Sequence, residues 1–378
     1  MIQMVDLKGQ YLKIKTEVDA GIQSVIDSAA FINGPAVKDF TAHLSEYMGG
    51  CHVVPCANGT DALQIALMAL GLKPGDEVIV PAFTYVASAE VIGLLGLTPV
   101  MVDVDPRTFN VTAENLRKGL SANTKAVIPV HLFGQSCDME PILAFAREND
   151  LYVVEDNAQA IGAEYTFRDG RKAKTGTMGT IGCTSFFPSK NLGCYGDGGA
   201  LFTGDDRLAE RIRMIANHGQ QVKYHHKVIG CNSRLDSLQA AVLDVKLRHL
   251  DEYGSARHAA AAYYTERIRE FDPEERLVET PREAANSTHV YHQYTLRVKD
   301  GRRDALKEYL SGRGIPSMIY YPLPLQEQEA FQHITRKAEV LEQSRECAYS
   351  VLSLPMHTEL THAMQDEVVD AIAKFFAQ

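Results

Sequence analysis

An α/β fold with a mostly parallel central sheet, followed by a smaller α+β domain, is what this sequence predicts. Three observations carry that expectation. Between Asp76 and Asp156, short apolar runs alternate with amphipathic stretches. That is the pattern of strands buried on both faces by crossover helices. Tyr85, His131, Asp156 and Gln159 fall at or just after the ends of those runs, where open α/β sheets bind ligands. Beyond residue 251 the alternation gives way to one long helical stretch and a mixture of short strands and helices. The expected division is therefore a large domain over 1–251 and a smaller one over 252–378.

Taken in order, residues 11–30 carry apolar side chains at helical spacing (Leu12, Ile14, Val18, Ile22, Val25, Ile26), and residues 37–48 read as a second helix. His52 to Pro55 reads as a strand, Asn58-Gly59-Thr60 as a small-residue corner, and residues 61–70 as a helix. Free backbone N–H groups and a hydroxyl at a helix N-terminus suit an anion such as a phosphate, although an ordinary N-cap needs the same residues. Strands are then expected at 77–80, 100–104 (after a Thr98-Pro99 turn), 126–131 and 152–156. Helices are expected from about 86, over 113–120 and over 140–149.

An acid directly after a buried strand, as Asp156 is, needs a cationic partner or a capping role. Tyr85 offers a ring that could stack on a flat ligand or pack in the core. Lys190 follows Phe186-Phe187-Pro188-Ser189 and precedes a glycine-rich turn through Gly199. Apolar neighbours favour the neutral amine, the form that condenses with an aldehyde.

A helix follows over 206–217, then a polar loop with His225 and His226, which lack a third ligand nearby. A long helix is expected over 236–250, continuing past a break at Gly254 to 270. The remainder reads as strand 291–298, helix 303–313, strand 317–321, helix 337–352 and helix 365–376.

Composition bounds the function. The 378 residues are 45% hydrophobic and 23% charged, with a net charge of −10 and no basic run, which argues against a nucleic-acid partner. The apolar segment around 91–104 is interrupted by Gly93, Gly96, Pro99 and Asp103, so no membrane span is expected. Seven scattered cysteines without metal-ligand spacing point to reduced thiols, a cytoplasmic protein and no metal.

Four stretches carry a family likeness: residues 57–63 (Ala-Asn-Gly-Thr-Asp-Ala-Leu), 155–159 (Glu-Asp-Asn-Ala-Gln), 185–190 (Ser-Phe-Phe-Pro-Ser-Lys) and 232–236 (Asn-Ser-Arg-Leu-Asp). Through them the chain resembles, over nearly its whole length, the DegT/StrS-type nucleotide-sugar aminotransferases, which depend on pyridoxal 5'-phosphate and have the aspartate-aminotransferase fold (fold type I). The resemblance implies that Lys190 holds the cofactor covalently and shuttles a proton. It implies that Asp156 pairs with the pyridine nitrogen, that Tyr85 stacks on the ring, and that Gln159 approaches its other side or its 3-hydroxyl. Gly59, Thr60 and Ser185 are expected at the phosphate, and Asn232 at the phosphate of a neighbouring subunit, making a homodimer with shared active sites.

The implied reaction is ping-pong transfer of the amino group of L-glutamate to a nucleotide-linked ketosugar, for surface polysaccharide synthesis. The wording is most similar to family members acting on a UDP-linked 3-keto glucuronate. Their sugar contacts correspond to Phe31, Ser189, Arg234, Tyr320 and Tyr321. Phe31 replaces a tyrosine and Tyr320 a histidine, so another 3-keto or 4-keto sugar stays open. A dehydratase using the aminated cofactor is disfavoured because those relatives carry histidine in place of lysine. A nicotinamide oxidoreductase lacks its Gly-x-Gly-x-x-Gly, and a non-catalytic protein that kept the fold is the remaining alternative.

Overall fold

The structure is a computed structural model that describes residues 2–337 and 340–378. Among the described residues, eight strands form the central sheet. Their order is His52–Cys56, Gly199–Thr203, Ile181–Ser185, Tyr152–Asp156, Thr124–Val127, Glu77–Pro81, Thr98–Val102 and Arg336–Lys337. Pairing is parallel from Ile181–Ser185 outward to Arg336–Lys337, while Gly199–Thr203 runs antiparallel to both its neighbours. Glu77–Pro81 is buried at every position, as expected of a strand covered on both faces. The main core lies between the sheet and its helices, with Ile65, Val80, Val91, Val102, Val127, Ile142 and Val154 all at or below 1% exposure.

The helix Gly59–Leu70 begins at Asn58, whose side chain accepts the Asp61 N–H at 2.8 Å, and ends at Gly71 with φ 73°. The capped N-terminus thereby points at the carboxyl ends of the central strands, and the glycine supplies the left-handed stop.

Val278–Glu279, Tyr294–Val298 and Val351–Leu354 form a separate three-stranded antiparallel sheet. Helices Leu250–Phe271, Arg303–Ser311 and His362–Phe376 pack on it around Tyr264, Leu296, Leu310, Leu352 and Ile372. Ile2, from the other end of the chain, joins that cluster.

Several boundaries differ from the sequence reading. The long helix breaks at Arg248–His249, not at Gly254, giving helices Ser237–Leu247 and Leu250–Phe271. A Cβ at Gly254 would meet nothing within 4 Å. That half-buried glycine costs the helix about 1 kcal/mol, which Tyr253, Arg257, Ala261 and Tyr264, buried on the same helix, outweigh.

The strand expected over 126–131 ends at Val127, because Pro129 has no N–H to give to a ladder. The Pro129 carbonyl still accepts from Asp156 N, and His131 N donates to the Asp156 carbonyl. The turn expected at Thr98 lies earlier, at Gly96 with φ 71°, and Thr98 already pairs with Glu77. No strand forms over 317–321; only Met318 bridges to Ser353, since Tyr321 turns instead toward Gln159. The helix expected over 337–352 begins at Glu342 and stops at Ser350, because Val351, Leu352 and Leu354 are wanted in the smaller sheet. Residues 338 and 339 of that expected helix lie outside the described residues. Two hairpins, Glu164–Thr166 with Lys172–Lys174 and Gln220–Val222 with His225–His226, were not legible in the sequence.

Candidate active site

The strand Tyr152–Asp156 ends in two acids that face different surroundings. Glu155 is fully buried and accepts from Gly176 N at 2.8 Å and Met178 N at 2.6 Å. It also meets His131 Nε2 at 2.9 Å. The Cys137 N–H donates to His131 Nδ1 at 3.1 Å, so the ring proton sits on Nε2 and is given to Glu155. These bonds fix the strand end and with it the next residue.

Asp156 is 5% exposed. Its Oδ2 accepts from Ser88 Oγ at 2.7 Å and its Oδ1 from Ala158 N at 3.1 Å. No lysine, arginine or histidine forms an ion pair with it among the described residues. A carboxylate so placed has an unspent preference for a cationic partner.

Lys190 faces this acid. Among the described residues its Nζ has no hydrogen-bond or ion-pair partner. Burial pushes its pKa down to about 8, against the pull of Asp156, which acts to raise it. Its backbone is held by the turn Lys190 N to Phe187 O at 2.8 Å and by Asn191 Nδ2 donating to Val290 O at 2.9 Å. His292 is buried close enough to feel the lysine. Burial first, then Lys190 and Arg257, push its pKa well below the usual imidazole range, and its Nδ1 has no partner.

A cradle lies at the start of the helix Gly59–Leu70. A Cβ on Gly59 would meet the Ser185 Cβ at 2.6 Å, so only glycine lets helix and strand approach this closely. The Gly59 and Thr60 amides precede the first intrahelical bond and have no acceptor among the described residues. The Thr60 hydroxyl is likewise free, and the Ser185 hydroxyl accepts only a 3.3 Å contact from Phe187 N. This is an anion site formed by a helix N-terminus and two hydroxyls.

Aromatic side chains frame the opening. Tyr85 is 54% exposed, and its ring centroid lies 5.8 Å from that of Tyr321, which lies 5.9 Å from Tyr320. Gln159 accepts from Phe133 N at 2.7 Å and gives its amide to the Tyr321 hydroxyl at 3.0 Å. Burial raises the Tyr321 pKa, and Asp156 and Tyr85 add smaller contributions in the same direction. Tyr85, Asp156, Gln159, Lys190, Tyr320 and Tyr321 are thus linked by contacts or by each other's fields, and Gly59 and Ser185 meet each other at the cradle. Ser189, next to Lys190, is partly buried without a recorded side-chain bond.

Phe31, Asn232 and Arg234 share no hydrogen bond or ring contact with Lys190 or Asp156 among the described residues. The Phe31 carbonyl accepts from Ser237 N at 2.8 Å, and Ile32 bridges to Asp236. Asn232 bridges to Asn217, and Ser233 Oγ accepts from Ala57 N at 3.0 Å. A cavity of about 630 Å³ opens there, lined by Asn33, Lys38, Arg213, Asn217 and Arg234 among others, and not by Lys190 or Asp156.

A sequence model of the DegT/DnrJ/EryC1/StrS aminotransferase family matches residues 12–373. The chain belongs to this family. It is 45% identical over 375 residues to the pleiotropic regulatory protein of Geobacillus stearothermophilus, covering 99% of this chain and 98% of the other. It is also 45% identical over 363 residues to the UDP-2-acetamido-2-deoxy-3-oxo-D-glucuronate aminotransferase of Pseudomonas aeruginosa, covering 96% and 97%. A DegT DnrJ EryC1 StrS aminotransferase from Brucella abortus superposes with a TM-score of 0.93 at 40% identity, covering 100% of both chains. The α/β fold of this aminotransferase family is therefore the fold of this chain.

The residues of this family member fit pyridoxal phosphate. The free amides and hydroxyls around the tight Gly59–Ser185 approach suit its phosphate. Asp156 retains acceptor capacity for a ring N–H, and Lys190 offers an unpaired amine of lowered pKa. Sequence reasoning missed Ser88 and His292. Ser88 stands one helical turn after Tyr85, a spacing that could have signalled it. His292 gave no signal beyond being a histidine in an apolar run.

Proposed function

We propose that this chain is a pyridoxal-phosphate-dependent aminotransferase that moves the amino group of L-glutamate to a nucleotide-linked 3-ketosugar, with a UDP-linked 3-keto-2-acetamido glucuronate as the preferred acceptor. The observation that carries the proposal is the placement of Lys190 within the field of Asp156. A buried carboxylate steadied by Ser88 lies within the field of a half-buried, unpaired lysine amine. The acceptor is inferred from the relative in Pseudomonas aeruginosa.

When bound, the cofactor supplies an aldehyde that takes up an amino group and a ring that withdraws electrons. Lys190 is positioned to hold it and then, as a free amine, to carry a proton to and from the substrate carbon. Asp156 would hold the ring nitrogen in its protonated form. Ser185, Thr60 and the amides of Gly59 and Thr60 would bind the phosphate. Tyr85 would cover one face of the ring, while Gln159, fixed by Phe133 and Tyr321, would stand at its edge. Arg234 offers a planar fork for a substrate carboxylate, and Phe31, Ser189, Tyr320 and Tyr321 would shape the sugar site.

The separate placement of Asn232 and Arg234 is accounted for if they serve the active site of a second subunit. The hairpin near them exposes Val222, Tyr224 and the following Ile229 (63%, 77% and 87%), apolar surface of the kind buried between subunits. A homodimer is therefore part of the proposal. A cytoplasmic location accords with seven free cysteines. No helix among the described residues is long and apolar enough to cross a membrane.

The test is a panel of UDP-3-keto and dTDP-4-keto sugars incubated with L-glutamate. Formation of 2-oxoglutarate that depends on the UDP-3-keto uronate supports the reading. Equal turnover across the panel would remove the preference, and no turnover with any acceptor would remove the activity.

A further inference from the structure

A fully buried lysine lies against the loop that follows Lys190. Lys246, on the helix Ser237–Leu247, is 2% exposed and forms no ion pair with a carboxylate among the described residues. Its Nζ donates to the carbonyl of Gly193 at 2.7 Å and lies 5.0 Å from the Tyr195 ring centroid. Burying an ammonium against a single carbonyl is costly, and an apolar side chain of the same length would fill the space at lower cost. What the lysine provides is a donor from a rigid helix to one point in the segment that follows Lys190.

That segment is otherwise held mainly by itself. Cys194 N donates to Phe186 O and Phe186 N to Gly198 O, both at 2.8 Å. The Cys194 thiol donates to Phe186 O at 3.0 Å. A Cβ on Gly193 would meet Pro188 O at 2.3 Å, so the loop folds tightly onto the residues that precede Lys190. Two side chains tie it to the helix: Lys246 at Gly193, and Gln239, whose Oε1 accepts from Tyr195 N at 2.8 Å. On the opposite side Asn191 ties it to Val290.

We infer that Lys246 is a positioning residue for the active site: through its bond to Gly193 it fixes the loop whose first residue is Lys190, and so sets where the Lys190 amine stands relative to Asp156. The inference rests on the reading of Lys190 as the catalytic lysine. Burial pushes the pKa of Lys246 down to about 8, with Cys194 opposing that shift and Arg257 adding to it. The donor survives either way, because a neutral amine still carries N–H groups.

The experiment compares wild type with Lys246→Met, which keeps length and removes the donor, and Lys246→Gln, which keeps a shorter donor. The readouts are hydrogen exchange across the peptide containing residues 186–198 in the purified protein, and kcat and KM for L-glutamate. For Lys246→Met we expect exchange in that peptide to rise about tenfold while the strand Tyr152–Asp156 is unchanged. We expect kcat to fall about tenfold with KM little altered, as for a displaced reacting group. The Gln variant should fall between the two in both readouts. Unchanged exchange and unchanged kcat in the Met variant would overturn the inference. Should the Met variant not fold, exchange in the Gln variant indistinguishable from wild type would overturn it instead. The exchange readout stands even if no acceptor sugar is turned over, so failure of the proposed reaction is told apart from failure of this inference.

Discussion

Ser88 gives its hydroxyl to Asp156 Oδ2 at 2.7 Å, and both groups are buried. The bond ties the helix Ala87–Leu94, just after Tyr85, to the end of the strand Tyr152–Asp156. A hydrogen bond to a charged group contributes about 1.5–3 kcal/mol. Ser88→Ala is therefore expected to weaken cofactor binding and to lower kcat/KM by about tenfold or more, with the fold intact. Equilibrium dialysis of the cofactor and steady-state kinetics check this. Unchanged values in both would show that Asp156 does not depend on Ser88.

The approach of Gly59 to Ser185 leaves no space for a methyl group. Gly59→Ala places a Cβ 2.6 Å from the Ser185 Cβ, and overpacking of this kind costs about 1–3 kcal/mol. We expect a lower melting temperature and weaker retention of the phosphorylated cofactor. Removing the opposing side chain in Gly59→Ala/Ser185→Gly should restore melting more than cofactor binding, since the serine hydroxyl is lost as well.

The lowered pKa of Lys190 has a definite sign. Below about 8 the side chain is an ammonium, and above it a free amine. In cofactor-free protein, acylation of the peptide containing Lys190 should rise with a midpoint near 8, as read by mass spectrometry. Between about 8 and the ordinary 10.5 the unfolded chain holds this proton more tightly than the folded one. This lysine's contribution to stability therefore rises with pH across that window. Any melting advantage of Lys190→Met should accordingly be largest near pH 7 and shrink toward pH 10. A labelling midpoint above 10 would contradict the assignment.

Arg234 lines a cavity that does not include Lys190 or Asp156. If it recognises a carboxylate across a subunit boundary, Arg234→Ala should raise KM for a 3-keto uronate at least tenfold, about 1.4 kcal/mol, and affect the 6-deoxy counterpart little. With the 3-keto uronate held well below KM, mixing the impaired Arg234→Ala chain with the inactive Lys190→Ala chain should give heterodimers more active than either variant alone.

The sequence marked candidate residues as far as local rules reach. Asp156, Gln159 and Lys190 stood out because each follows a recognisable apolar run, and Gly59 because a small-residue corner precedes a helix. The bond between Gln159 and Tyr321 joins residues 162 positions apart, a distance that no periodicity encodes. The strand expected at 317–321 hid it further, since an alternating strand would have sent Tyr320 and Tyr321 to opposite faces. Gly254 misled because propensity disfavours glycine within a helix, while burial of Tyr253, Arg257 and Tyr264 decided the outcome. Lys246 carries no distinguishing mark in the sequence, and only the packing of the 190–198 loop against its helix shows what it holds.

The most direct measurement of the central claim is borohydride reduction of the purified, cofactor-loaded protein followed by peptide mass spectrometry. The account predicts a pyridoxyl phosphate adduct on Lys190 and on no other residue, absent in Lys190→Ala together with the visible absorbance and turnover. An adduct on a different lysine, or a Lys190→Ala variant that turns over at the native rate, would contradict it.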